Sequence, residues 1–296
     1  MPIIDAHVHL YPPEVNSDPT AWAAAAEEFR WAVMHTRVRK NGRPVQSFPL
    51  VKGLLQAMDE AGVERAVLLG WYWERAASCR MQNRFYAECI RAHPDRLSAF
   101  ATVSFSEGAR VALEELKRAH DNGFCGVGEL SPHSVDWPLS DETLHAVLAS
   151  AGEWGMPVNL HVTEPESRDY PGKVATPLID FLNLARAYPE TDFILAHWGG
   201  RLPLVTDEAL PTNLWYDTAA TPLLYDHTIW RKFVAKVGAE RVLFGSDFSL
   251  NLYPAIDAEP NMTRLVAEVH RSELPAESLK AIVCDNAERV LRLRMQ

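Results

Sequence analysis

The sequence predicts a single-domain α/β protein, a closed (β/α)8 TIM barrel, and three observations carry that expectation. Eight short apolar runs alternate with longer helical stretches from one end of the chain to the other. Most of the runs are almost continuously apolar, as parallel strands covered on both faces must be. Several end on a histidine or a carboxylate, which in a barrel gathers those groups at the C-terminal mouth. An open doubly wound sheet is the competing arrangement. Neither a GxGxxG nor a GxxxxGK(S/T) turn follows the first run, which removes its dinucleotide-binding and P-loop versions. The 296 residues would make two domains at roughly 150 each, yet one barrel takes ~250.

In chain order the predicted strands are residues 2–7, 65–70, 97–103, 126–130, 157–162, 192–197, 213–217 and 241–245. Amphipathic spacing between them predicts helices over 50–60, 110–119, 143–153, 177–187, 228–237 and 262–270. Gly62, Gly123 and Gly155 follow three of these and suit the left-handed residue that closes a helix. Asp141, after Ser140, and Asp226 are placed as N-caps. The segment 10–48 is too long for a plain connection between strand and helix. It is read as a lid or specificity insert, with an added helix at 18–30.

Composition narrows the function. The hydrophobic share is 47% and the charged share 23%, a globular balance that excludes a disordered or coiled-coil chain. No apolar run approaches the ~18 residues needed to cross a bilayer. A formal charge of -10 argues against nucleic acid as the main partner, because backbone binding needs a basic face. Cys79, Cys89, Cys125 and Cys284 show no CxxC pairing, which speaks against a disulfide framework or thiolate zinc finger and suits a reducing cytoplasm. No basic region followed by an apolar stretch opens the sequence, so a cytoplasmic location and a small-molecule partner are expected.

The chemistry begins at Asp5-Ala6-His7-Val8-His9. Side chains two apart on a strand point the same way, so both imidazoles reach one ion from one wall. Glu129 lies at the end of the fourth strand, His161 of the fifth and His197 of the sixth, and Asp247 lies just past the eighth. Taken singly, His161 and His197 are equally readable as core histidines and Asp247 as a helix cap. Taken together, they are an imidazole and carboxylate donor set suited to zinc, with manganese or iron(II) as alternatives.

Four motifs make the chain resemble the amidohydrolase superfamily. They are Ile4-Asp5-Ala6-His7-Val8-His9, Leu195-Ala196-His197-Trp198-Gly199-Gly200, Arg241-Val242-Leu243-Phe244-Gly245-Ser246-Asp247 and Asp285-Asn286-Ala287-Glu288-Arg289-Val290-Leu291. The similar branch is the amidohydrolase-related one, with aminocarboxymuconate-semialdehyde decarboxylase-like enzymes and several lactonases. The resemblance spans essentially all of residues 1–296 and implies that His7, His9, His161 and Asp247 hold a divalent metal with His197 beside it. It also implies a homodimer, although no interface is identifiable in the residues. Glu129 departs from the decarboxylase-like pattern and looks like the strand-four glutamate of TatD-like nucleases, which bridges two metals. If it bridges, His161 and His197 serve a second ion; if not, one ion is held, and His197 is free to act as acid or base. A plainer reading pairs Glu129 with Arg168.

From this donor set the expected activity is metal-dependent hydrolysis of an ester, lactone, amide or phosphoester in a small carboxylated or cyclic molecule. Asp247 would move the proton and His197 assist at the reacting oxygen. The alternative on the same site is non-oxidative decarboxylation. A third reading, a barrel that binds without catalysis, would require a broken donor set, and none of its positions is broken. Substrate contacts are expected from Arg37 and Arg39 on the insert, where Lys40 and Arg43 add charge. Trp71, Trp73 and Trp198 are aromatic candidates at the mouth, and Glu164, Arg168 and Tyr170 follow His161.

Overall fold

Each predicted strand forms, and their order around the sheet is their order in the chain. In this computed structural model, which describes residues 1–293, they are β1 Ile4–Val8, β2 Arg65–Leu68, β3 Leu97–Ala101, β4 Gly126–Leu130, β5 Val158–Leu160, β6 Phe193–Leu195, β7 Leu214–Asp217 and β8 Val242–Leu243. Every neighbouring pair is parallel. The ring closes where the Ala6 N–H donates to the Phe244 carbonyl at 2.8 Å and Val8 bridges Phe248. All strand residues are buried, which accounts for their largely apolar character. Gly128 shows how tightly the wall is packed. Its φ is +129°, and a Cβ there would stand 2.5 Å from the Asn159 carbonyl oxygen on the next strand.

The predicted helices are Val51–Ala61, Ala109–Asp121, Glu142–Glu153, Leu178–Ala187, Thr228–Val237 and Met262–His270. Asp141 caps its helix by accepting from the N–H groups of Thr143 and Leu144. At the helix from Thr228, His227 stands at the cap position, and Asp226 accepts the Thr228 N–H at 2.8 Å from one residue further back.

Two helical features correct the sequence reading. A seventeen-residue helix, Ala76–Ala92, follows β2 where none was expected. Its buried face includes Ser78, Gln82 and Asn83, so the apolar periodicity that marks a helix is diluted. Within the insert, the helix expected at 18–30 is two, Pro19–Ala26 and Phe29–His35, preceded by Pro13–Ser17. The break falls at Glu27, whose φ is +59°. Glu28 beside it is buried and accepts the N–H groups of Glu74 and Arg75 at 2.8 and 3.0 Å, pinning the insert to the start of the unexpected helix. Tyr11, Trp22 and Trp31 of the insert pack with Trp71 and Trp73 as an aromatic cluster apart from the barrel core. Residues 45–47 of the insert pair with the loop after β8 through the Ser47 and Asn251 N–H groups.

Candidate metal centre

Five strands deliver the expected donors to one place. His7 and His9 rise from β1 with their Nε2 atoms 3.1 Å apart. Asp247 Oδ1 stands 3.9 Å from His7 Nε2 and 3.7 Å from His9 Nε2. Glu129 lies between this group and a second one. Its Oε2 is 3.6 Å from His9 Nε2, and its Oε1 is 2.8 Å from His161 Nδ1 and 3.8 Å from His197 Nε2. The donor atoms of His7, His9 and Asp247 lie within 4.8 Å of one another, as do those of Glu129, His161 and His197.

The far side of each ring sets which nitrogen bears hydrogen. His9 Nδ1 faces the Leu69 carbonyl at 3.1 Å, and His197 Nδ1 faces that of Ala219 at 3.2 Å. A carbonyl only accepts, so both Nδ1 atoms carry hydrogen and both neutral rings turn an Nε2 lone pair inward. His7 Nδ1 donates to Asp217 Oδ2 at 2.9 Å. Two imidazole lone pairs do not face each other at 3.1 Å without a cation between them. A proton on His7 meets that demand, and so does a metal ion, whose histidine ligands typically donate their other N–H to a carboxylate or carbonyl.

The charges follow from burial and contact. Burial opposes a charge on His7, but the Asp217 carboxylate outweighs it and lifts the imidazole to about 10. Burial, reinforced by the charge on His7, pushes His9 down to about 4; burial and the neighbouring His161 do the same to His197. Burial also works against Glu129, yet His161, His7 and His9 hold its carboxyl well below the usual range. Asp247 is pushed up to about 7, chiefly by burial. A bound cation would lower it again.

His197 does not end β6 as expected. It opens a turn in which five consecutive residues, His197, Trp198, Gly199, Gly200 and Arg201, have φ between +55° and +63°. Left-handed backbone costs roughly 1–2 kcal/mol at each residue other than glycine, and strain of this kind persists only where its surroundings over-determine it. Asp247, with φ +65°, is a second left-handed residue at the site.

Several expected substrate contacts lie elsewhere. Trp198 is buried against Trp230 and Phe233 and donates Nε1–H to Thr221, because the left-handed turn rotates it away from the mouth. Trp73 is buried in the aromatic cluster under the insert. Arg168 is exposed, and the partner of Glu129 is His161 rather than this arginine. Glu164 is buried in an ion pair with Arg201. Trp71 does stand at the mouth, stacked on Tyr72 with ring centres 3.9 Å apart and 5.9 Å from His9, while Tyr72 is 5.6 Å from His161. Arg37 sits 5.5 Å over the ring of Tyr170, and Arg39 donates to the Asn251 carbonyl.

Sequence reasoning missed Asp217. It ends the seventh apolar run just as the recognised donors end theirs, so the same rule could have found it. It also missed Asp5, whose Oδ1 accepts the N–H groups of His7 and Ser246 and so ties β1 to the segment after β8. His35, given no role, is buried with its ring perpendicular to Trp71 at 4.2 Å.

Residues 4–293 match the amidohydrolase family. The chain belongs to it. No match is found among curated proteins. This amidohydrolase-family barrel is similar to a 2,6-dihydroxybenzoate decarboxylase from Rhizobium at 19% identity, with 99% of each chain covered and a TM-score of 0.69. A 5-carboxyvanillate decarboxylase from Novosphingobium aromaticivorans, complexed with manganese and 4-hydroxy-3-methoxy-5-nitrobenzoic acid, is 15% identical with a TM-score of 0.75, over 99% of this chain and 96% of that one. A dihydroxybenzoic acid decarboxylase from Polaromonas, with bound manganese and 2-nitroresorcinol, is 17% identical with a TM-score of 0.70, over 98% and 97%. At these identities the likeness shows the shared fold of the amidohydrolase-family chain. All three relatives are decarboxylases, nearer to the alternative activity expected from the sequence than to hydrolysis.

Proposed function

We propose that the chain is a divalent-metal enzyme that removes carbon dioxide, without oxidation, from a small flat carboxylic acid. The observation that carries the metal is the pair of Nε2 atoms on His7 and His9, 3.1 Å apart and turned inward by their Nδ1 partners. The flat substrate is supported by the Trp71–Tyr72 stack beside both donor groups, and the reaction by the decarboxylases that share the fold. The two of those relatives described with manganese also favour that ion over the zinc expected from the sequence.

His7, His9 and Asp247 would hold one ion, and Glu129, His161 and His197 a second. A divalent cation held there would supply positive charge to stabilise a substrate oxygen. Trp71 and Tyr72 orient the ring, and Arg37 and Tyr170 take a polar group at its outer edge. The carbon that loses carbon dioxide needs a proton in exchange. Asp247, whose Oδ1 stands 3.9 Å from His7 Nε2 and 3.7 Å from His9 Nε2, is the group we assign to carry it.

Hydrolysis is the second reading, favoured by the reach of Glu129 into both donor groups. Such a carboxylate would help both groups hold an ion, and a pair of ions would supply the charge that hydrolysis needs. A panel of hydroxylated benzoic acids, lactones and phosphoesters, assayed with manganese-loaded enzyme, separates the two. Carbon dioxide from an aromatic acid is the expected result. Turnover of lactones or esters alone overturns the first reading for the second.

A further inference from the structure

The geometry assigns to Glu164, through Tyr225 and Arg201, the task of holding both ends of the left-handed turn that presents His197 to the donor cluster. These are positioning residues. The inference rests on His197 working at the site, and it adds what keeps that side chain there.

The turn runs from His197 to Arg201 with every φ positive. Two internal bonds close it, from the Gly200 N–H to the His197 carbonyl at 3.1 Å and from the Arg201 N–H to the Trp198 carbonyl at 3.0 Å. Glycines 199 and 200 adopt this backbone freely, whereas His197, Trp198 and Arg201 do not, so outside contacts must supply the difference. At its first residue, the His197 N–H donates to Asp217 Oδ1 at 3.1 Å, and the Tyr225 hydroxyl lies 3.1 Å from the His197 carbonyl oxygen. The same hydroxyl donates to Glu164 Oε2, so its single proton is shared between the two. At its last residue, Arg201 forks onto Glu164 through Nη2 at 2.7 Å and Nε at 3.3 Å, with Glu166 taking Nη2 at 2.8 Å. Glu164 is 5% exposed, and a buried carboxylate gripped by a two-pronged guanidinium is a stiff anchor. It lies three residues beyond His161 in sequence, so one loop carries a donor of the second group and the anchor for another. Loss of the anchor lets the turn relax toward ordinary backbone and carries the His197 imidazole away from Glu129.

The test compares Glu164→Gln, Tyr225→Phe and Arg201→Lys with the wild type. Hydrogen exchange of the peptide covering 197–201 is read by mass spectrometry in chelator-treated protein, so this measurement stands whether or not the proposed function is right. Exchange at least ~10-fold faster in Glu164→Gln and Tyr225→Phe is expected. Manganese titration should then show the weaker of two binding steps loosened ~10-fold or more, the scale for partners that orient ligands. Turnover should fall further than KM changes, and Arg201→Lys, which keeps the charge and loses the fork, should fall between. Unchanged exchange in both variants overturns the clamp. Faster exchange with manganese affinity and turnover both retained overturns its role in placing His197. If Tyr225→Phe does not fold, Glu164→Gln, nearly the same shape, decides alone.

Discussion

Asp217 and His7 are 210 residues apart in sequence, and Asp217 Oδ2 accepts the His7 Nδ1–H at 2.9 Å. The same oxygen accepts from Asn159 at 3.0 Å, while Oδ1 accepts the His197 N–H. One buried carboxylate therefore fixes a ring on β1 and the start of the turn after β6. Asp217→Asn removes the charge and should weaken manganese binding ~10–100-fold, as loss of a ligand's partner does. Titration with manganese measures this, and an unaltered affinity would remove Asp217 from the site.

Asp247 combines a left-handed backbone, φ +65°, with a place beside His7 and His9. Asparagine tolerates that backbone better than most residues, so Asp247→Asn should fold. Its turnover should drop by ~10²-fold or more, the scale for a group that moves the proton. Steady-state kinetics on whichever substrate the panel identifies will test it; near-normal turnover excludes Asp247 as the proton carrier.

Among the described residues, Glu129 is the one carboxylate within 4 Å of histidines in both donor groups. Glu129→Gln should lower bound metal from about two equivalents per chain to about one, as counted by elemental mass spectrometry. A ratio unchanged by the substitution means that no second ion depends on it.

His35 links the insert to the mouth. Its Nδ1 faces the Trp31 carbonyl, its Nε2 takes the Tyr11 hydroxyl, and burial holds its pKa down to about 3. The folded protein thus needs this ring neutral, whereas the unfolded chain takes up a proton below the ordinary histidine pKa of ~6.5. Stability contributed here is complete above ~6.5 and is lost as pH falls toward about 3. Thermal unfolding between pH 4 and 7 should therefore show a shallower pH slope in His35→Gln than in the wild type. Parallel slopes would show that His35 protonates in the fold.

The strand pattern, the ligand-type residue at the end of several runs and the family were legible in the sequence. An apolar run ending in a ligand-type side chain is a local signal, and His7, His9, Glu129, His161 and Asp247 all carry it. Other features depended on the closed barrel. The helix Ala76–Ala92 buries polar residues that find partners only across the fold, such as Asn83 on Thr102. Trp198 looked like a mouth residue until the turn sent it into the helix layer. Arg201 and Tyr225 carry no sequence signal, and Glu164 reads there as a substrate contact, because an ion pair or a shared proton between distant segments exists only once the strands have brought them within about 3 Å. The amino-acid order determined which groups stand at the rim; the tertiary structure decided which of them face inward, since that depends on what holds the other side of each ring.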